Sequence, residues 1–291
     1  MGRVSVILPV FNEEDSLPAL LSELTSNYPD YEIVVVNDGS NDATEDICQP
    51  FGVTLVRHPY NMGNGAAVKS GMRRASGDIF VTMDADGQHD PGDLRSLVAL
   101  MDHYDMAVGS RSFLGQATPQ RAVGNMIYNA LASYVAKFKV QDLTSGFRAV
   151  RRGVALEHLP LFPNTYSYPT TLTLAVLRSG YSVTYVPIKA KARVGGKSGI
   201  HLVKDGTRFL MIIIKVCTLY SPLRVFLPVS AVMFLLGCFN YAYTYLTDGR
   251  FTNMSAVFFM SGVIIFMMGI ISEQICQLRY DRHDTTSGDK F

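Results

Sequence analysis

Two stretches without a charged side chain, residues 225–247 and 251–272, constrain this 291-residue chain more than any other feature. Each exceeds the about 20 residues that a helix needs to cross the hydrocarbon core of a bilayer. Only Asp248, Gly249 and Arg250 separate them, so the pair is expected as a helical hairpin, each helix satisfying its own backbone polar groups. Lys204, Arg208, Lys215 and Arg224 precede the first stretch, and Arg279, Arg282 and Lys290 follow the second. Arg250 is the one cation between them. The positive-inside rule therefore predicts a multi-pass protein of the cytoplasmic membrane, with the large N-terminal part and the C-terminus both cytoplasmic. Two buried core helices would seldom be so long and so free of charge.

Elsewhere charges are spread evenly, and a net charge of +1 asks for no nucleic-acid partner. Cys48, Cys217, Cys238 and Cys276 lack metal or disulfide spacing, which fits a reducing compartment. Met1-Gly2-Arg3 runs straight into a strand pattern, so no cleaved leader is expected.

The first two hundred or so residues alternate short β-branched runs (4–9, 32–37, 53–57, 78–83 and 106–108) with helical patterns (16–25, 42–48, 66–74 and 92–102). This alternation predicts an α/β domain with a mostly parallel sheet. Such sheets bind ligands outside the carboxyl ends of their strands, and acids gather there. Glu13 and Glu14 follow the first strand, Asp38 the second, and Asp84 and Asp86 the fourth.

Two further stretches have an interfacial look. In 199–220, Lys204, Arg208 and Lys215 share one helical stripe, while Leu202, Val203, Phe209, Leu210, Ile213 and Ile214 fill much of the rest. In 120–140, Arg121, Asn125, Asn129 and Lys137 oppose Val123, Met126, Ile127, Ala130, Leu131, Tyr134 and Phe138. The second helix suits a membrane surface and the face of a sheet equally well; beside a hairpin, membrane lipids are the favoured partner. The expected domains are 1–198 (α/β), 199–221 (juxtamembrane amphipathic helix), 222–276 (two spans) and 277–291 (cytoplasmic tail).

Asp84-Ala85-Asp86-Gly87-Gln88 offers two carboxylates and an amide oxygen within five residues, after a strand and before a helix beginning at Pro91. Hard oxygens of this kind suit Mg²⁺ or Mn²⁺ and leave room for phosphate oxygens. An acidic turn at a helix start would look the same in isolation. The order of motifs is more specific. Val6-Ile7-Leu8-Pro9-Val10-Phe11-Asn12-Glu13-Glu14 comes first, then Val35-Val36-Asn37-Asp38-Gly39-Ser40, then the 84–88 segment. Thr144-Ser145-Gly146-Phe147-Arg148 and Arg193-Val194-Gly195-Gly196-Lys197-Ser198 complete the set. Across roughly residues 4–198 the chain resembles the family 2 glycosyltransferases of GT-A fold, in particular the dolichol-phosphate mannose synthases and their bacterial polyprenyl-phosphate relatives, where a C-terminal membrane hairpin is also typical.

That resemblance implies a role for each matching residue. Pro9, Phe11 and Glu13 would line the nucleoside pocket, Asp38 would hold the base or ribose edge, and Asp84 would touch the nucleotide. Asp86 and Gln88 would ligate Mg²⁺ or Mn²⁺ on the diphosphate. Arg111 and Arg121, with Asn125 nearby, would meet the acceptor phosphate, where a guanidinium fork fits well. Arg193, Lys197 and Ser198 would close over the phosphates. Asp142 is a candidate general base or an orienting partner of Arg148, itself either catalytic or paired with a structural acid such as Asp142. Asn61-Met62-Gly63-Asn64-Gly65 lacks the third glycine of a dinucleotide fingerprint and reads as a tight turn near the nucleotide. His89 reads as a polar residue at a helix start.

The implied reaction is metal-dependent, inverting transfer of one hexose, from a GDP- or UDP-sugar such as GDP-mannose or UDP-glucose, to a polyprenyl or dolichyl phosphate. A phosphate monoester, with its second pKa of about 6, is mostly a dianion at neutral pH, so the acceptor calls for cations more than for a base. Transfer to a lipid-linked sugar or protein hydroxyl would need a committed base, and a silent nucleotide-sugar-binding scaffold would need neither. Processive polysaccharide synthases carry a Gln-x-x-Arg-Trp motif, and this chain contains no Trp. Relatives of this kind can form homo-oligomers, though no residue pattern here signals one.

Overall fold

The computed structural model describes residues 2–111, 119–188 and 222–287, with side chains at all of these except 119–125, 248 and 279–287. The expected 199–221 helix thus lies outside the described residues. The chain divides into two compact units, Met1–Phe209 and Leu210–Phe291.

In the first unit, strands β1 (Val4–Val10), β2 (Glu32–Asn37), β3 (Thr54–Arg57), β4 (Ile79–Thr82), β5 (Met106–Arg111), β6 (Arg148–Arg151) and β7 (Val183–Ile188) form one sheet. Their order is β3-β2-β1-β4-β6-β5-β7. Every pairing is parallel except those of β6, which runs antiparallel to both β4 and β5. The mostly parallel sheet is as expected; β6 and β7 are additions to the strands predicted from sequence.

Helices cover both faces, so central strands are apolar on both sides, as crossover topology requires. In β1, Val6, Leu8 and Val10 pack with Leu17, Leu20, Leu21 and Leu24 of α1 (Leu17–Asn27). On the opposite face, Ile7 packs with Ala67, Val68 and Met72 of α3 (Asn64–Arg74). The first face also takes α4 (Leu94–Ala99), through Leu94, Leu97 and Val98. The second takes α6 (Arg152–His158) and α7 (Tyr168–Arg178). A short helix α2 (Thr44–Cys48) follows β2.

Helix α5 (Pro119–Ala136) follows the predicted 120–140 amphipathic pattern but turns it outward. Ala132 and Val135 are buried, whereas Met126, Ile127, Leu131 and Tyr134 are exposed. Its polar Asn129 and Ser133 hold the segment behind the helix. Asn129 Nδ2 donates to the Gln141 carbonyl at 2.6 Å, and its Oδ1 accepts from Leu143 N at 3.0 Å. Val140 N donates to Ser133 Oγ at 2.9 Å.

The second unit is the expected hairpin of α8 (Pro222–Asp248) and α9 (Asn253–Ser287). Most of its apolar side chains face outward, Leu246 being 83% and Phe239 74% exposed. Small residues allow close approach: a Cβ on Gly237 would lie 3.0 Å from the Phe259 ring, and one on Gly269 2.8 Å from Phe226 Cβ. Few polar groups are enclosed, and they are paired. Ser230 Oγ donates to the Gly262 carbonyl at 2.8 Å, and Asn240 Oδ1 accepts from Thr252 and Ser255 hydroxyls at 3.1 and 2.9 Å. Glu273, the first charge after the second apolar stretch, accepts from Leu223 N at the start of α8, 3.2 Å away.

Candidate active site

The loops at the carboxyl ends of β1, β2 and β4 are bound to one another. Asn12 takes a left-handed backbone (φ 54°), and its side-chain oxygen accepts from Asn41 N at 2.9 Å. Asn12 N donates to Ser40 Oγ at 3.0 Å. Glu14 and Asp42 exchange side-chain-to-backbone hydrogen bonds across the same gap, Glu14 N reaching Asp42 Oδ2 and Ala43 N reaching Glu14 Oε2. Ser16 Oγ donates to the Ala85 carbonyl at 2.7 Å, joining the start of α1 to the acidic loop. Glu13 Oε2 lies 3.1 Å from the same hydroxyl. Phe11 is partly exposed at the loop tip, whereas Pro9 is buried inside β1.

Asp84 and Asp86 stand just beyond β4, both partly exposed. Asp86 Oδ1 accepts from Gln88 N at 3.1 Å, closing a turn through Gly87 at φ +74°. Burial opposes ionisation of Asp84, yet its carboxyl stays below the usual range because His89, Arg111 and Asn64 act on it by charge or hydrogen bond. His89 does more than open a helix. Its ring is buried 5.1 Å from Phe147, Nε2 lies 3.7 Å from Asp84 Oδ2, and buried Nδ1 has no hydrogen-bond partner among the described residues. Gly146 packs against Asp84, since a Cβ there would sit 2.6 Å from Oδ2. Its carbonyl accepts from Thr82 Oγ1 at 2.7 Å.

Strand β6 brings a distant segment to this end of the sheet. Its first residue pairs with Thr82 of β4 and Val108 of β5, so residues 142–147 approach beside the ends of both. Asp142 there binds Arg111 bidentately: Nε to Oδ2 at 2.8 Å and Nη2 to Oδ1 at 3.0 Å. Arg111 N reaches Oδ2 at 3.2 Å, Thr144 N reaches Oδ1 at 3.1 Å, and Arg111 Nη2 also meets Thr144 Oγ1 at 2.8 Å. Burial disfavours both charges, but each sustains the other. The Asp142 carboxyl is held low by Arg111 and Thr144, and the Arg111 guanidinium is held protonated by Asp142, Asp84 and Asp86.

This geometry corrects the expectations for Arg148 and for Asp142 as its partner. Arg148 is fully buried and donates to the Ser145 carbonyl, to the Pro169 carbonyl at 2.9 Å and to Thr173 Oγ1 at 3.0 Å. As the first residue of β6 it points into the layer beneath α7, and Asp142 pairs with Arg111 instead. The general-base alternative for Asp142 is disfavoured, because both its oxygens already accept hydrogen bonds and its lowered pKa makes it a weak proton acceptor.

Asp38 is buried, and its carboxylate accepts from His58 Nδ1 at 2.6 Å, Met62 N at 2.9 Å and Gly63 N at 2.8 Å. Its three hydrogen bonds commit it to the 58–63 loop, and its side chain is 4% exposed. Beside it an open cleft of about 490 Å³ is lined by Asn37, Gly39, Ser40, Asn41, Glu45, Arg57, His58 and Pro59. Arg121 and Asn125 lie on α5, but their side chains fall outside the described residues, as do Arg193, Lys197 and Ser198 entirely. Thr144 and Asn129 were legible only as part of a motif and of a helix face, and His58 and Ser70 escaped the sequence reading. Their signal is a partner far away along the chain, which a single sequence does not display.

Among the described residues no three His, Cys, Asp or Glu side chains converge as a metal cluster. Two partly exposed carboxylates with the Gln88 amide nonetheless form a hard-oxygen donor set that fits Mg²⁺ or Mn²⁺ sharing its shell with water and phosphate oxygens.

A family model described as "Glycosyl transferase family 2" matches residues 5–159, and one described as "GtrB C-terminal hairpin" matches residues 221–278. Polyprenol monophosphomannose synthase of Mycolicibacterium smegmatis is 32% identical over 213 residues, covering 67% of this chain and 80% of that protein. Undecaprenyl-phosphate 4-deoxy-4-formamido-L-arabinose transferase of Aeromonas hydrophila is 28% identical over 313 aligned residues, covering 96% of this chain and 90% of that one. Glucosyl-3-phosphoglycerate synthase of Mycobacterium tuberculosis, solved with Mn²⁺, uridine diphosphate and phosphoglyceric acid, superposes with a TM-score of 0.61 at 19% identity, over 74% of this chain and 78% of that one. With the family match over more than half its length, the acidic loop at the end of β4 and the apolar C-terminal hairpin, the chain belongs to glycosyl transferase family 2.

Proposed function

We propose that the protein transfers one hexose from a nucleoside-diphosphate sugar to the phosphate of a polyprenyl or dolichyl lipid, with inversion at the anomeric carbon. The observation that carries this reading is Arg111, a cation oriented by Asp142 within electrostatic reach of Asp84 and Asp86. Names of the relatives support the acceptor class, since two of them act, by name, on polyprenol or undecaprenyl phosphate.

A divalent cation held by Asp86 and Gln88 would supply charge to the diphosphate leaving group. Arg111, helped by Arg121 and Asn125 of α5, would bind the acceptor phosphate and offset its repulsion from the diphosphate. A phosphate oxygen then attacks the anomeric carbon as the bond to the nucleoside diphosphate breaks. No proton needs to leave that oxygen, so ionised and fully bonded Asp142 suits a phosphate acceptor better than a hydroxyl one. Phe11 and Glu13 would face the nucleoside, and Arg193, Lys197 and Ser198 would close over the phosphates. The outward apolar stripe of α5 supports contact with lipid, and the cations flanking the hairpin support a cytoplasmic catalytic domain.

The test is a transfer assay in nanodiscs with undecaprenyl or dolichyl phosphate, Mg²⁺ or Mn²⁺, and radiolabelled GDP- and UDP-sugars. One labelled lipid is expected, lost on adding EDTA and in Asp86→Ala. No labelled lipid from any donor, with nucleotide binding intact, would refute the lipid-phosphate acceptor.

A further inference from the structure

Asp38, His58 and Ser70 form a buried chain of hydrogen bonds that ends on the loop before α3. His58 Nδ1 meets Asp38 Oδ1 at 2.6 Å, and His58 Nε2 meets Ser70 Oγ at 2.8 Å. The carboxylate can only accept, so Nδ1 donates to it, and Nε2 shares the second hydrogen bond with the serine hydroxyl. The His58 and Asp38 side chains are only 7% and 4% exposed. A serine, a histidine and an aspartate in this order resemble a nucleophile and its base, but here the aspartate is tied to two backbone amides as well.

Its outputs are backbone groups. Asp38 also takes the amides of Met62 and Gly63, while His58 N donates to the Asn37 carbonyl at 2.9 Å. The loop between them crosses directly over Gly39, where a Cβ would lie 2.5 Å from the Tyr60 carbonyl carbon at φ +74°. It then runs against residues 163–165, since a Cβ on Gly63 would lie 2.2 Å from the Asn164 carbonyl oxygen. Lys69 holds that second segment through the Phe162 carbonyl at 3.3 Å and the Asn164 side chain. The loop delivers Asn64, whose side chain is one of the groups that hold the Asp84 carboxyl low at the acidic motif.

We propose that His58 and Ser70, acting through Asp38, are positioning residues for the donor nucleotide: they fix the 58–64 loop so that Asn64 holds Asp84 and the cleft beside Asn37 and Ser40 keeps its shape. Asp38 itself does not contact the nucleotide. This rests on the nucleotide-sugar reading of the site. It extends that reading to residues outside the acidic motifs and gives Asp38 a supporting role in place of direct contact.

The experiment measures donor and acceptor KM, kcat, and GDP and UDP affinity with Mn²⁺ by calorimetry, for the full-length protein in nanodiscs and for His58→Ala, His58→Asn and Ser70→Ala. Asparagine can place an amide N–H near the position of Nδ1 and should restore the bond to Asp38. His58→Ala is expected to raise donor KM and nucleotide Kd about tenfold, the scale of one lost hydrogen bond to a charged group. Acceptor KM should stay within about twofold, a near-neutral change on the same scale. Ser70→Ala should show a smaller shift in the same direction, and His58→Asn should recover most of the loss. Wild-type donor KM and nucleotide Kd in folded His58→Ala would overturn the proposal, as would equal losses for donor and acceptor with no recovery in His58→Asn. If the unaltered protein binds neither nucleotide, the donor reading itself fails, and that outcome is visible before any variant is compared.

Discussion

Arg111 illustrates how a single cation becomes useful only once its direction is set. A free arginine carries considerable rotamer entropy. Here two parallel hydrogen bonds to Asp142 and a third to Thr144 leave one orientation. Replacing Asp142 with Asn keeps the shape but removes the charge and one acceptor. Transfer by Asp142→Asn is expected to fall about 10- to 100-fold, the loss of one to two charge-assisted hydrogen bonds in a partly buried site. The pH dependence of the remaining rate should keep its form, because an orienting carboxylate does not titrate during turnover. Loss of the acid limb of that profile in Asp142→Asn would restore the general-base role instead. The residues of this pair were individually legible in the sequence, yet their partnership was not. Thirty-one positions separate them along the chain, and only the antiparallel course of β6 brings them together. Arg148 was misassigned for the same reason: its neighbours form a motif, but the alternation of a strand turns its side chain inward.

Among the elements, the five parallel strands predicted were readable because each alternates with a helical pattern in the sequence. Strand β6 was not, being four residues long and preceded by a segment that reads as a loop. Strand β7 contains Pro187, which argues against a central strand; it is tolerated here because β7 is an edge, paired among the described residues only with β5. The opposite end of the sheet holds a stabilising device with a pH signature. Glu32 Oε2 accepts from Ser5 Oγ at 2.5 Å, Ser76 N at 2.7 Å and Ser76 Oγ at 3.0 Å, tying β1, β2 and the segment after α3. Burial opposes its ionisation, but these donors hold the carboxyl below its usual value. A lowered folded-state pKa gives stability that is complete above the unfolded value of about 4.3 and lost as pH falls through the folded value. Thermal midpoints recorded from pH 7 to pH 3 should therefore fall less steeply for Glu32→Gln than for the unaltered chain. Parallel curves would show that Glu32 carries no such linkage.

For the whole molecule, the hairpin decides where the catalytic unit works. Both helices display apolar side chains that a watery surrounding would penalise, and the polar groups they enclose are paired with each other. Membrane association follows from that surface and from the family match to residues 221–278. Its sidedness is testable at the three-residue connection. A cysteine at Asp248→Cys should react with a membrane-impermeant thiol reagent added to intact cells or spheroplasts. Labelling only after the membrane is permeabilised would invert the predicted topology. Strand β6 carries one more consequence at this scale. Strands β3, β2, β1 and β4 form one continuous parallel block, β5 and β7 form another, and β6 alone joins them. Backbone pairing thus crosses between the two blocks through four residues alone. A change in β5 still reaches the acidic loop through side chains, by the charge of Arg111 on Asp84 and by the core that Met106 and Val108 share with Ile7 and Val34, so β6 is a seam in the ladder and not a boundary of the site.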